Sequence, residues 1–393
     1  MSFSEYLIAR SGGSSRGYDI GQARASSCKL RGTGGKSSMK IEKIQTTVLE
    51  MPYTKPLITA TNHFTVARGV LVKVGTDGGV EGHGYSDLFP RTGETPETAR
   101  HVIDAVLKPK INGRDLEELA RIRADVDHTL TGNPRAKAAL ECALYDALAR
   151  SVHIPLNLLL GGRYRNEVRV IKMISVGQPE MMASEAKQVA DEGLALKLKM
   201  SGNISLDLSR VAKVRQAVGD DVFIKVDANE AYDAKTAIRL AKGLADHGVE
   251  IFEQPVPRDQ LGALWEVKKH APIKIEADQS VRTVADAAHL IKERMVDSIN
   301  TGIQKIGGIQ EVRKIAELCE QAGINCALSN TAGSMVGDAA AVHLAASMPG
   351  ISPLCELGEF EVVSGDPFFG LAVEKGAIKV PKDEGLGVSL RGF

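Results

Sequence analysis

From residue 168 to residue 356 the chain repeats one unit: a short apolar run, a polar turn, then a stretch with the 3.6-residue apolar period of a helix. Strand candidates fall at 168–175, 195–200, 222–227, 250–253, 273–278, 298–301, 325–329 and 352–356, with helices between them, for example at 206–218, 234–247, 284–292 and 308–322. Strands joined through helices lie parallel, because a hairpin cannot return a parallel strand. Eight of them predict a closed (β/α) barrel. An open doubly wound sheet would want a glycine-rich dinucleotide fingerprint after a strand, and none is present.

The upstream part reads as α+β. Strands are expected at 40–49 and 69–74, with a turn at 76–79 before a third strand at 80–82, then helices at 98–106, 116–129 and 133–151. The long polar stretches 52–68 and 85–95 read as loops and as lids over a site, with His63, Tyr85 and Arg91 as polar candidates. Residues 1–38 are rich in Ser, Gly and Arg, hold only Glu5 and Asp19 as acids and show no apolar period, so a disordered extension is expected. The expected organisation is an extension at 1–38, an α+β capping domain at 39–165, a barrel at 166–356 and a segment at 357–393 that returns to the capping domain.

Composition narrows the function classes. With 49 basic and 49 acidic residues among 393, nothing argues for nucleic acid or an anionic membrane as partner. No apolar run approaches the roughly 20 residues of a membrane span. Five scattered cysteines without a CxxC pair fit a reduced, cytoplasmic setting and core packing.

Chemistry is carried at the strand ends. Lys197 and Lys199 are two residues apart on the second barrel strand, so both amines point to one side of the sheet. Asp227, Glu253 and Asp278 end the third, fourth and fifth strands, 26 and 25 residues apart. Neighbouring strands of a barrel deliver such groups to one rim. Three clustered carboxylates raise one another's pKa unless a cation neutralises them, and hard oxygen ligands suit Mg²⁺. Glu276, two residues before Asp278, shares its face and is the rival fifth-strand ligand.

These residues resemble the signatures of the enolase superfamily, in its muconate lactonizing enzyme subgroup (the mandelate racemase/muconate lactonizing enzyme family). The matching motifs are Lys-x-Lys (Lys197, Lys199), Asp-x-Asn (Asp227, Asn229), Glu-Gln-Pro (Glu253 to Pro255), Ala-Asp (Ala277, Asp278) and Gly307-Gly308. The resemblance spans residues 39 to 393 and implies a modified (β/α)7β TIM-type barrel beneath an N-terminal α+β capping domain. It implies abstraction of the proton α to a substrate carboxylate, with the enolate held by Mg²⁺. By position Lys199 is the base, and Lys197 lowers its pKa and helps hold the carboxylate. Asn229, Ser329 and Glu356 are the implied substrate contacts, Glu356 meeting a substrate amine or bonding Lys199. The seventh strand ends without the histidine of the mandelate racemase branch.

One departure bears on the reaction. The subgroup's second lysine, expected at the end of the sixth strand, falls on Gly302, and Lys305 falls later, outside the rim. A single lysine suffices for cycloisomerisation or dehydration, so a one-base, muconate cycloisomerase-like enzyme or a dehydratase is the leading expectation. The alternative is a racemase or epimerase of amino-acid derivatives that uses Lys199 and Lys305. A third is a barrel that binds metal and carboxylate without turnover. A homo-oligomer acting on a small carboxylate completes the expectation.

Overall fold

The computed structural model describes residues 39–60 and 62–391, so the expectation for residues 1–38 lies outside the described residues, as does the side chain of Arg91. The capping domain begins with an antiparallel sheet of β1 (Ile41–Ile58), β2 (His63–Thr76) and β3 (Glu81–Asp87). The stretch 52–68, expected to be a loop, is instead the far end of the β1–β2 hairpin, with Leu57 opposite Phe64 and Ile58 opposite His63. Pro52 and Pro56 argue against a strand, but β1 is the sheet's edge, where a missing N–H costs no ladder bond. The register shifts between Pro52 and Leu57, as a bulge requires. β3 likewise extends to Asp87, claiming Tyr85 for the sheet opposite Leu71.

Helix Pro134–Ser151 lies directly on this sheet. Its contact face is Ala-rich, and β3 meets it with glycine: a Cβ on Gly84 would stand 2.0 Å from the carbonyl oxygen of Ala139. Backbone packs against backbone there, which is why glycine alternates through β3.

The barrel strands are β4 (Glu167–Ile174), β5 (Ala195–Lys199), β6 (Ile224–Asp227), β7 (Ile251–Glu253), β8 (Lys274–Ala277), β9 (Ser298–Thr301), β10 (Asn325–Leu328) and β11 (Leu354–Cys355). Each pairs in parallel with the next from β4 to β10. β11 pairs in parallel with β4, and the bridges Cys326–Ile351 and Ser329–Glu356 close the ring. Helices intervene through Met335–Ser347, and only the short 3-10 turn Glu359–Val362 follows β11 among the described residues, giving the (β/α)7β pattern. The four described cysteines are free and buried, as core residues. No helix among the described residues is long and apolar enough to cross a membrane.

The tail returns to both layers. Ala377–Lys379 adds an antiparallel partner to β4, while Leu386 donates its N–H to Asp146 at 2.7 Å and Arg150 donates to the Val388 carbonyl at 3.0 Å. His343, fully buried in helix Met335–Ser347, joins this seam: Nδ1 accepts from Asn157 N–H at 3.2 Å and Nε2 faces the Leu386 carbonyl at 3.2 Å. The neutral imidazole protonated on Nε2 satisfies both contacts; Asn157 Oδ1 also stands 3.3 Å from Nδ1, so what opposes a second proton is burial. Burial pushes the pKa of His343 down to about 4. Because the folded value lies below the unfolded one, its contribution is complete above about pH 6.5 and is lost as pH falls toward 4. Urea unfolding at pH 7 and pH 5 should show a loss of about 2 kcal/mol attributable to this group, absent from His343→Gln.

Candidate active site

The site is built by register. β5 pairs with β6 so that Lys199 stands opposite Asp227 and Lys197 opposite Lys225. β6 sets Asp227 opposite Glu253, and β7 sets Glu253 opposite Glu276. Residues paired across parallel strands share a face, so charged groups from four strands enter the lumen as layers. Two residues above Glu276, Asp278 stands at the C-terminal rim, where barrel sites form.

The side chains form two linked groups. In the lower one, Lys225 Nζ pairs with Glu253 Oε2 at 2.7 Å and also with Glu276 and Glu356. The carboxylates of Glu253, Glu276 and Glu356 offer oxygens within 4.8 Å of one another, a tri-carboxylate cluster of the kind that binds a divalent cation. The Lys225 ammonium already lies among them, and neither Glu276 nor Lys225 lines the cavity above.

In the upper group, Lys197 Nζ lies 3.0 Å from Asp227 Oδ2, 2.8 Å from Glu253 Oε2 and 2.6 Å from Glu356 Oε2. Lys199 Nζ lies 2.5 Å from Asp227 Oδ2. Lys305 reaches in from the short helix Ile303–Ile306: its Nζ is 2.5 Å from Asp278 Oδ1 and donates to the carbonyls of Asp278 and Asn300. Lys197, Lys199, Lys305, Asp227, Asp278, Asn229, Ser329 and Glu356 all line one cavity of about 330 Å³, and Glu253 lies buried beneath it.

Several expectations are corrected here. Lys305 is inside the rim, because the chain turns into a helix directly after β9 and carries residue 305 back over Asp278. Gly302 keeps its place at the end of β9: a Cβ there would stand 2.6 Å from the Ser329 carbonyl oxygen, so this backbone has no room for a lysine. Glu356 bonds Lys197, Lys225 and Asn300, not Lys199. His63 and Tyr85 do not line the cavity; the hairpin tip contributes Leu57, Thr59, Asn62 and Phe64 instead.

Electrostatics follow from burial and neighbours. Burial would lower the Lys197 pKa, but Asp227, Glu253, Glu356 and Asp278 outweigh it and hold the ammonium well above its ordinary value. Burial raises Glu356, yet Lys197 and Lys225 bring it down to about 2. Glu276, with burial dominant over Lys225, rises to about 7. Asp278 also sits above the usual carboxylate range through burial, relieved in part by Lys305.

Three further residues support the site. Lys225 precedes Asp227 by two residues, the same spacing as Lys197 and Lys199. Asn300 donates to Glu356 at 2.9 Å. Gln254, in left-handed conformation after β7, accepts the backbone N–H groups of Asp278 and Ser280 through Oε1 and so fixes the fifth-strand loop.

Residues 43–161 match the model of the mandelate racemase / muconate lactonizing enzyme N-terminal domain, and residues 181–392 match the enolase C-terminal domain-like model. The L-Ala-D/L-Glu epimerase of Bacillus subtilis is 34% identical over 89% of this chain and 97% of that protein. Muconate cycloisomerase 1 of Rhodococcus opacus is 32% identical over 90% and 97%. The substrate-liganded structure of the B. subtilis epimerase superposes with a TM-score of 0.87 at 33% identity, covering 90% of this chain and all of that one.

Removing the Lys225 ammonium would leave Glu276 without a cation, while Glu253 and Glu356 keep Lys197. Lys225→Met should lose about 3–5 kcal/mol of stability by denaturant unfolding at neutral pH, and the cluster of Glu253, Glu276 and Glu356 should then take up a proton on folding.

Proposed function

The chain belongs to the mandelate racemase / muconate lactonizing enzyme family of the enolase superfamily, and within it we propose that it is a Mg²⁺-dependent racemase or epimerase of amino-acid derivatives. The observation that carries this reading is Lys305. Lys199 from β5 and Lys305 from the turn after β9 line the same cavity, each on its own carboxylate, Asp227 and Asp278. Inversion at carbon needs a proton removed from one face and delivered to the other, and two lysines from strands set apart by three others can serve the two faces. The epimerase relatives support this choice.

The donor set fits a hard dication. Asp227, Glu253 and Asp278 are carboxylates from three adjacent strands that share Lys197 as a neighbour, and the buried Asn229 Oδ1 beside Asp227 has no hydrogen-bond partner among the described residues. These three acids would hold Mg²⁺, which supplies fixed positive charge for the substrate carboxylate. Of the two fifth-strand acids, Asp278 is the one that lines the cavity, and it is taken in place of Glu276. Lys197, kept charged by its neighbours, orients the carboxylate, and Lys199 takes the α-proton. Lys305 returns a proton from the opposite side. Asn229 and Ser329 complete the polar wall.

The one-base cycloisomerase is the second reading, favoured by Gly302, which leaves the strand end itself without a side chain. The two separate in D₂O with enantiopure amino-acid derivatives and Mg²⁺. Two-base chemistry gives inversion with solvent deuterium at the α-carbon, and Lys305→Met and Lys199→Met each abolish inversion. Lys305→Met retaining full inversion would sink the two-base reading. For the metal, Mg²⁺ should raise the melting temperature of the native protein and of Glu276→Gln, but not of Asp278→Asn or Glu253→Gln.

A further inference from the structure

Above the catalytic groups, the capping domain contributes an ion pair that is only half used. Asp87, the last residue of β3, accepts from Arg135 Nη1 at 2.6 Å, and the same nitrogen donates to the Asp87 carbonyl at 2.8 Å. Arg135 opens helix Pro134–Ser151, and its guanidinium lies 5.6 Å from the centre of the Phe89 ring. Both residues line the catalytic cavity although they are only 4% and 8% exposed.

Asp87 Oδ2 is buried and has no hydrogen-bond partner among the described residues. Among those residues both guanidinium hydrogen bonds run through Nη1, so Nη2 and Nε keep donors for a ligand. The pair therefore presents an unfilled acceptor next to unfilled donors, at an apolar wall made by Phe64 and Phe89, which meet edge to face at 5.3 Å. An unpaired buried acceptor is costly, and a ligand that fills it gains what a merely apolar one cannot.

The pattern selects among ligand groups. A carboxylate would accept from Arg135 but leave Oδ2 without a donor and add a second anion beside it. An ammonium would satisfy Oδ2 but face the guanidinium. An alkyl group would fill neither. A neutral amide carries an acceptor oxygen and a donor N–H side by side, matching both.

We propose that Asp87 and Arg135 form a specificity site that reads a neutral amide group of the substrate, at the end away from the α-carboxylate. The proposal rests on the racemase or epimerase reading for its reaction, and its source of amide is a side-chain primary carboxamide, which carries C=O and N–H on one edge.

The test uses the full chain with Mg²⁺ and two readouts, α-deuteration in D₂O and ligand-induced melting shift. Glutamine, glutamate, lysine and norleucine form the series, and N-acetylalanine against alanine is the control for an amide on the α-nitrogen. Glutamine should exceed the other three about tenfold in kcat/KM and give the largest melting shift. Preference for N-acetylalanine without preference for glutamine overturns the proposal. Asp87→Asn replaces the empty acceptor with a donor, so it should reverse the order of glutamine and glutamate. Amide and carboxylate compounds performing alike in the native protein, or an unchanged order in folded Asp87→Asn, overturns the proposal. If Asp87→Asn does not fold by circular dichroism, the native ratios decide alone. If no compound exchanges deuterium, the racemase reading fails, while the order of melting shifts still decides for or against the amide site.

Discussion

The barrel depends on a balance of charges taken out of water. Lys197, Lys199 and Lys225 are buried in the lumen among Asp227, Glu253, Glu276 and Glu356, and Lys305 joins at the rim beside Asp278. Any one of these groups alone would be prohibitively costly to bury, and each is tolerated because its neighbours carry the opposite sign. Strand register thereby becomes an electrostatic matter. A one-residue slip of β5 or β6 would turn its ammonium groups out of the lumen and leave the carboxylates unpaired.

That balance also divides the labour between two levels. Lys225 saturates the lower acids, so Glu276 and Glu356 serve to hold the floor and keep Lys197 in place. Of the upper acids, Asp227 meets the tips of Lys197 and Lys199 and accepts from Asn229, and Asp278 meets the tip of Lys305, and all of these residues line the cavity. Groups partnered from one side and open on the other are the ones that can exchange a lysine contact for a ligand. The close approach of Gly302 to the Ser329 carbonyl shapes this opening, because it keeps the end of β9 bare and leaves the rim to a lysine from the following turn.

Much of this was legible from one-dimensional spacing. Period-two placement of Lys197 and Lys199, and one acid per strand–helix unit, follow from how a strand presents side chains and how a barrel repeats. The same rule applied to Lys225 would have exposed the lower cluster, but that lysine stands in a run dominated by the Asp227 motif. The hairpin tip is not legible in the sequence, because Pro52 and Pro56 have the character of loop residues and only the sheet order places β1 at an edge.

The sequence by itself determined the barrel, the layer above it and the residue types at each strand end, because apolar periodicity and strand spacing are local properties of the chain. Which groups meet was decided only by the tertiary structure. Glu356 and Lys197 are 159 residues apart, and their 2.6 Å contact exists because β11 closes the ring onto β4 beside β5. The position of Lys305 over Asp278, and the pairing of Asp87 with Arg135 at the cavity wall, are likewise products of closure. Distances between elements distant in sequence are set by packing, and packing carries no one-dimensional signature.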